Sequence, residues 1–81
     1  METRVAVISI IISDEDSVEK VNGILHEYRK FILGRMGIPY REKKINLISV
    51  ALDAPQNVIS ALSGKIGNLP NVSAKTAISN S

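Results

Sequence analysis

Apolar residues along the chain switch between a period of two and a period of three to four, and those switches mark out its elements. Residues 4–12 carry Val5, Ala6, Val7, Ile8, Ile10, Ile11 and Ile12 with only Ser9 among them. The segment is rich in β-branched residues and apolar on both alternating sides, the pattern of a central strand covered on two faces. Ser13, Asp14, Glu15 and Asp16 then supply a helix start. Ser13 or Asp14 can accept from the free N–H groups, and the acidic side chains suit the positive end of the helix dipole. Val18, Val21, Leu25 and Tyr28 follow at spacings of three and four, with Ile24 beside them, which predicts an amphipathic helix over residues 15–29. Gly23 inside that stripe costs about 1 kcal/mol relative to Ala and predicts close packing at that point.

A second strand is predicted over residues 31–38, interrupted by Gly34 and Gly37, and a third over residues 43–53. Pro39, Tyr40, Arg41 and Glu42 form so short a connection that the two strands make a hairpin. A second helix is predicted over residues 55–66, with Pro55 in the first turn, where its missing N–H does no harm. Val58, Ile59, Leu62 and Ile66 are its buried stripe, and Gly64 and Gly67 are placed to end it. A last strand is predicted over residues 71–78. The order strand-helix-strand-strand-helix-strand is the ferredoxin-like α+β arrangement, βαββαβ. It predicts a four-stranded antiparallel sheet with both helices on one face, in one domain spanning residues 1–81.

That arrangement leaves one face of the sheet uncovered, and the sequence makes it apolar. Ala6, Ile8, Ile10 and Ile12 lie on one side of the first strand, and Val5, Val7, Ser9 and Ile11 on the other. In the third strand Ile48, Val50 and Leu52 oppose Ile45, Leu47, Ser49 and Ala51. The helices can cover only one of these sides. Large apolar patches in water mark interfaces. The set Val5, Val7, Ser9, Ile11, Ile45, Leu47, Ser49 and Ala51 is therefore a candidate oligomer interface, which predicts a homodimer or a tetramer built from dimers. Ser9 and Ser49 interrupt the patch near its centre, where they could hydrogen-bond across a symmetry axis or to a trapped ligand.

Composition narrows the chemistry. The chain of 81 residues has three aromatic residues, Phe31, Tyr28 and Tyr40, and no Trp, so it lacks the platforms on which nucleic-acid bases stack. Its net charge of +2 is too small to imply a polyanionic partner by itself. The absence of Cys excludes disulfides, thiolate metal sites and thiol nucleophiles. It also fits a reducing cytoplasm, and no apolar run is long enough to span a bilayer. His26 is the one histidine, with no second strong ligand at i+3 or i+4 and no Ser/His/Asp set around it. Asp14, Glu15, Asp16 and Glu19 lack a calcium-loop pattern. The same acidic turn stands where an acylphosphatase carries a glycine-rich phosphate loop with an arginine. No catalytic residue, metal ligand or cofactor is predicted.

Arg29, Lys30, Arg35, Arg41, Lys43 and Lys44 stand against Glu42 alone between residues 29 and 44. The hairpin residues Arg35, Arg41, Lys43 and Lys44 form either a positive rim for an anion or acidic partner, or a solvated edge that discourages strand-to-strand aggregation. No recognised motif supports direct contact with nucleic acid.

Three stretches carry a family resemblance. They are Val21-Asn-Gly-Ile-Leu-His26, Gly34-Arg-Met-Gly-Ile-Pro-Tyr-Arg-Glu42 and Ala61-Leu-Ser-Gly-Lys-Ile-Gly-Asn-Leu-Pro-Asn-Val-Ser-Ala-Lys-Thr76. Together they resemble the small regulators associated with iron-only hydrogenase systems, over nearly the whole chain. The resemblance implies an ACT-like domain, similar to the ligand-binding domain of the nickel-responsive repressor, that works as a regulatory oligomer without enzyme activity. It carries over no nickel site, since that site needs several His and Cys ligands. The leading functional reading is an ACT-like regulatory module with a small ligand between subunits. The alternative is an adaptor that binds a protein partner through the basic hairpin.

Overall fold

A computed structural model of the chain describes residues 2–80. Its elements are β1 (Arg4–Ile12), α1 (Glu15–Glu27), β2 (Ile32–Tyr40), β3 (Ile45–Ala54), α2 (Gln56–Gly67) and β4 (Val72–Ile78), with 3-10 turns at Arg29–Phe31 and Arg41–Lys43. The sheet is antiparallel throughout, in the order β2-β3-β1-β4, so the two most apolar strands are central. The predicted α+β ferredoxin-like fold is the fold observed.

Each boundary has a local cause. Asp14 is extended (φ −144°) and its side chain accepts from the Asp16 N–H at 3.0 Å, which caps α1. The helix stops at Glu27, two residues short of the predicted end. The chain then tightens into the 3-10 turn at Arg29–Phe31, so β2 begins at Ile32. That strand runs on through Pro39 and Tyr40, which the sequence had placed in the connection. Proline is tolerated there because β2 is an edge strand. The reversal falls instead at residues 41–44, where Lys44 adopts the left-handed conformation (φ 55°) and donates its N–H to the Arg41 carbonyl at 3.1 Å. Lys43 accordingly lies in the turn and not in β3. Gly64 does not end α2, which continues to Gly67.

The core lies between the helices and one face of the sheet. Ala6, Ile8, Ile10 and Ile12 from β1 and Val50, Leu52 and Ala54 from β3 are fully buried there. Val21 and Leu25 of α1 and Ile59, Leu62 and Ile66 of α2 close over them. Side chains on alternate strand residues point to opposite faces, so β1 alternates between buried and exposed residues, and β3 between buried residues and half-buried or exposed ones. Ser17, 1% exposed, is the buried polar residue of this layer, and its hydroxyl donates to the Pro70 carbonyl at 2.8 Å. That bond ties the start of α1 to the turn before β4. Gly23 corrects the expectation of close packing: it is exposed, and a Cβ there would meet nothing within 4 Å.

Candidate functional site

The face of the sheet turned away from the helices is the main unassigned surface. Directly paired residues in a sheet share a face, so the strand register defines it row by row. One row is Ile38–Leu47–Ile11–Ser73, the next Met36–Ser49–Ser9–Lys75, and the next Gly34–Ala51–Val7–Ala77. Tyr40 and Ile45 continue it at one end, and Asp53 and Val5 at the other. Val5, Val7, Ile11, Met36, Ile38, Tyr40 and Leu47 are all exposed large hydrophobic residues on this face. The charged members, Lys75 and Asp53, lie at its margins on β4 and at the end of β3.

The rows differ in relief. Ile38, Leu47 and Ile11 form a ridge, while Gly34, Ala51 and Ala77 with Val7 form a lower row. Between them Ser9 and Ser49 are direct cross-strand partners at the centre of the sheet. A shallow hollow of about 310 Å³ opens among Ser9, Ser49, Met36, Ile38, Leu47 and Ile11, mostly apolar in lining. Two hydroxyls on an apolar floor can orient a polar group.

The structure thus places all eight sequence-predicted interface residues on this one face. It also extends the face onto β2 through Gly34, Met36, Ile38 and Tyr40, which pattern reading missed. The reason is local: a register irregularity between Ile32 and Gly34 sets Leu33 out of phase, and Gly34 and Gly37 blank the alternation that would have revealed the apolar side.

The predicted basic cluster is divided. Arg41, Lys43 and Lys44 share the turn between β2 and β3, where Glu15 and Glu42 stand near them; Tyr40 also donates its hydroxyl to Glu42 Oε2 at 3.2 Å. Arg35 sits in mid-strand on the opposite side of the sheet. It pairs with Val50 in register and donates from Nη2 to Asn22 Oδ1 of α1 at 2.9 Å. His26 is exposed on α1. Among the described residues no three His, Cys, Asp or Glu side chains converge, and no helix is long and apolar enough to cross a membrane.

A βαββαβ chain with sheet order 2-3-1-4, two helices on one face and an apolar opposite face is an ACT-like, ferredoxin-like protein. Within that class the chain belongs to the TM1266-like family, described as "Iron-only hydrogenase system regulator, putative", whose sequence profile matches residues 4–76. Among solved structures it is similar to the uncharacterized protein TM1266 from Thermotoga maritima. That protein is 35% identical with a TM-score of 0.91, and the match covers 95% of this chain and 98% of that one. A formyltetrahydrofolate deformylase from Pseudomonas putida KT2440 shares the fold alone, at 13% identity and a TM-score of 0.69. The match covers 95% of this chain and 29% of the deformylase. An unknown protein from Galdieria sulphuraria does likewise at 18% identity and a TM-score of 0.66, with 99% of this chain and 47% of that one covered. No curated protein matches the chain.

Proposed function

We propose that the chain is a non-catalytic regulatory module that works as a homo-oligomer, paired through the open face of its sheet, with room for a small ligand between subunits. The single observation behind this reading is the relief of that face. The ridge of Ile38, Leu47 and Ile11 and the low row of Gly34, Ala51, Val7 and Ala77 lie on either side of the Ser9–Ser49 row. A two-fold axis running across the strands above Ser9 and Ser49 lays each ridge onto the other copy's low row, which is the self-complementarity an isologous dimer requires.

Size supports the same occupant. Four strands of seven to ten residues give a face of roughly 19 by 30 Å, so two copies would cover roughly 1,100 Å² in total, just over the roughly 1,000 Å² that a biological interface should clear. The hollow beside Ser9 and Ser49 would be enclosed in such a pair, and grooves between paired domains are natural ligand sites. Family membership supports a regulatory role in an iron-only hydrogenase system. Sedimentation equilibrium from about 1 to 500 µM, which spans micromolar dissociation constants, tests the pairing. A dimer or tetramer is expected. A species that stays monomeric over that range would remove the interface and the enclosed hollow together, leaving the adaptor reading through Arg41, Lys43 and Lys44.

A further inference from the structure

The helix side of the sheet is not fully covered. α1 packs on β1, and α2 on β4 and β1, so β2 projects beyond the helices as a shelf with its residues exposed from Leu33 to Tyr40. Between that shelf and α1 runs a cleft in two parts that meet at Asn22 and Arg35. The Arg35–Asn22 hydrogen bond of 2.9 Å straps the shelf to the helix across the middle.

The two parts differ in chemistry. The first, about 290 Å³, is lined by Arg35, Arg29, His26 and Asn22 over Leu25 and Ile32. The second, about 230 Å³, has Ile48 as floor, Val18 on the helix side and Gly37 and Pro39 on the shelf. Gly37 pairs with Ile48 in register, and a Cβ there would meet nothing within 4 Å; a side chain at 37 would project into this hollow. The missing side chain also leaves Ile48, at 9%, the most exposed member of the core.

Among the described residues no carboxylate lines either part. Arg29 is steadied by its bond to the His26 carbonyl at 2.9 Å, and the guanidinium of Arg35 spends one of its five N–H donors on Asn22 among the described residues. Fixed guanidinium forks suit a carboxylate or phosphate oxygen pair, which they bind through two parallel bonds. The concentration of cations around the head group also repels a ligand that carries its own ammonium.

We infer that this cleft binds a small organic anion whose carboxylate or phosphate lies against Arg35 and Arg29, and whose short apolar body lies over Ile48 in the space that Gly37 leaves open. The groups that would hold the ligand lie on the opposite side of the sheet from the proposed interface, with Ile38 and Leu47 of the ridge bordering the second part of the cleft, so loss of the oligomer does not by itself remove the site.

The test uses three probes followed by amide and side-chain NMR shifts: 4-methylpentanoate, leucine, which adds an ammonium to the same carbon skeleton, and inorganic phosphate. Binding of 4-methylpentanoate at about millimolar concentration, as suits a ligand of about eight non-hydrogen atoms, should move the Asn22 side-chain amide, the His26 ring and the Gly37 amide. Leucine should bind at least about tenfold more weakly because of the charge repulsion. Phosphate should move the first part of the cleft only. Arg35→Leu and Gly37→Val both change exposed positions and attack different halves of the site. Each should weaken 4-methylpentanoate at least about tenfold, Gly37→Val while leaving phosphate unaffected. The inference is overturned if no shifts occur by about 20 mM, well above the range expected for so small a ligand. It is equally overturned if the shifts centre on Arg41, Lys43 and Lys44, if leucine binds as well as its deaminated counterpart, or if binding survives both substitutions.

Discussion

Replacing Leu47 with Lys separates association from folding. Leu47 lies in the ridge on the open face, 36% exposed in the single chain, while its neighbour Ile48 points into the core. Full burial of a leucine side chain is worth roughly 1.5–3 kcal/mol, so covering the remaining third is worth roughly 0.5–1 kcal/mol, and a two-fold axis counts it twice. The substitution also places two ammonium groups in the interface, at a desolvation cost of at least about 1–3 kcal/mol in all. The total of about 2–5 kcal/mol corresponds to a dissociation constant weakened roughly 30-fold to several thousand-fold. Within one chain the change touches no helix-side contact, and an exposed substitution of this kind costs about 0.5 kcal/mol or less. Sedimentation equilibrium across the micromolar range should show the loss of association. Thermal unfolding at a concentration where both proteins are monomeric should differ by only about 2–4 °C. A Leu47→Lys protein that associates as tightly as the original would refute the pairing through this face. A large loss of monomer stability would refute the assignment of Leu47 to an uncovered surface.

Ser17→Ala removes the bond to the Pro70 carbonyl from a fully buried site and should lower the free energy of unfolding by about 1–2 kcal/mol in urea titrations; an unchanged midpoint would show that the bond contributes nothing. Lys44 sits at φ 55°, so Lys44→Gly should stabilise by about 0.5 kcal/mol and Lys44→Val destabilise by about 1 kcal/mol, an order that chemical denaturation checks and whose reversal would sink the strain argument. The Lys65 ammonium lies 5.1 Å from the centre of the Tyr28 ring, and the Tyr28 hydroxyl and then its charge hold its proton above the ordinary value of 10.5. Because the folded value is raised, the contact contributes fully below about pH 10.5 and is lost only as pH rises through the folded value. An NMR titration of the Lys65 Nζ should give a lower midpoint in Tyr28→Phe than in the original chain, and identical midpoints would contradict the assignment.

Much of this architecture follows from local pattern alone. The switch from paired β-branched alternation in residues 4–12 to three-and-four spacing after Asp14 determines β1 and α1, because a buried strand and an amphipathic helix demand different periods. The alternation Val5, Val7, Ile11 against Ala6, Ile8, Ile10 likewise exposed an uncovered apolar face, since two helices can cover only one side of a sheet. Family likeness, carried by the stretches around Gly34 and Gly64, is likewise legible in the sequence itself.

Tertiary structure decided what depends on register between distant strands. Only the pairing of β2 with β3 places Met36, Ile38 and Tyr40 beside Ser49, Leu47 and Ile45, because the irregularity between Ile32 and Gly34 shifts the phase that a single strand's pattern would assign. The same shift sends Arg35 to the helix side, away from Arg41, Lys43 and Lys44, and into contact with Asn22. Gly37 shows the limit most clearly. In the sequence a glycine in a strand marks only a weak point, and it opens a hollow over Ile48 because the third dimension sets α1 too far back to cover that spot. Side-chain period is encoded one residue at a time, but which surfaces meet, and which are left open, depends on how whole elements cover one another.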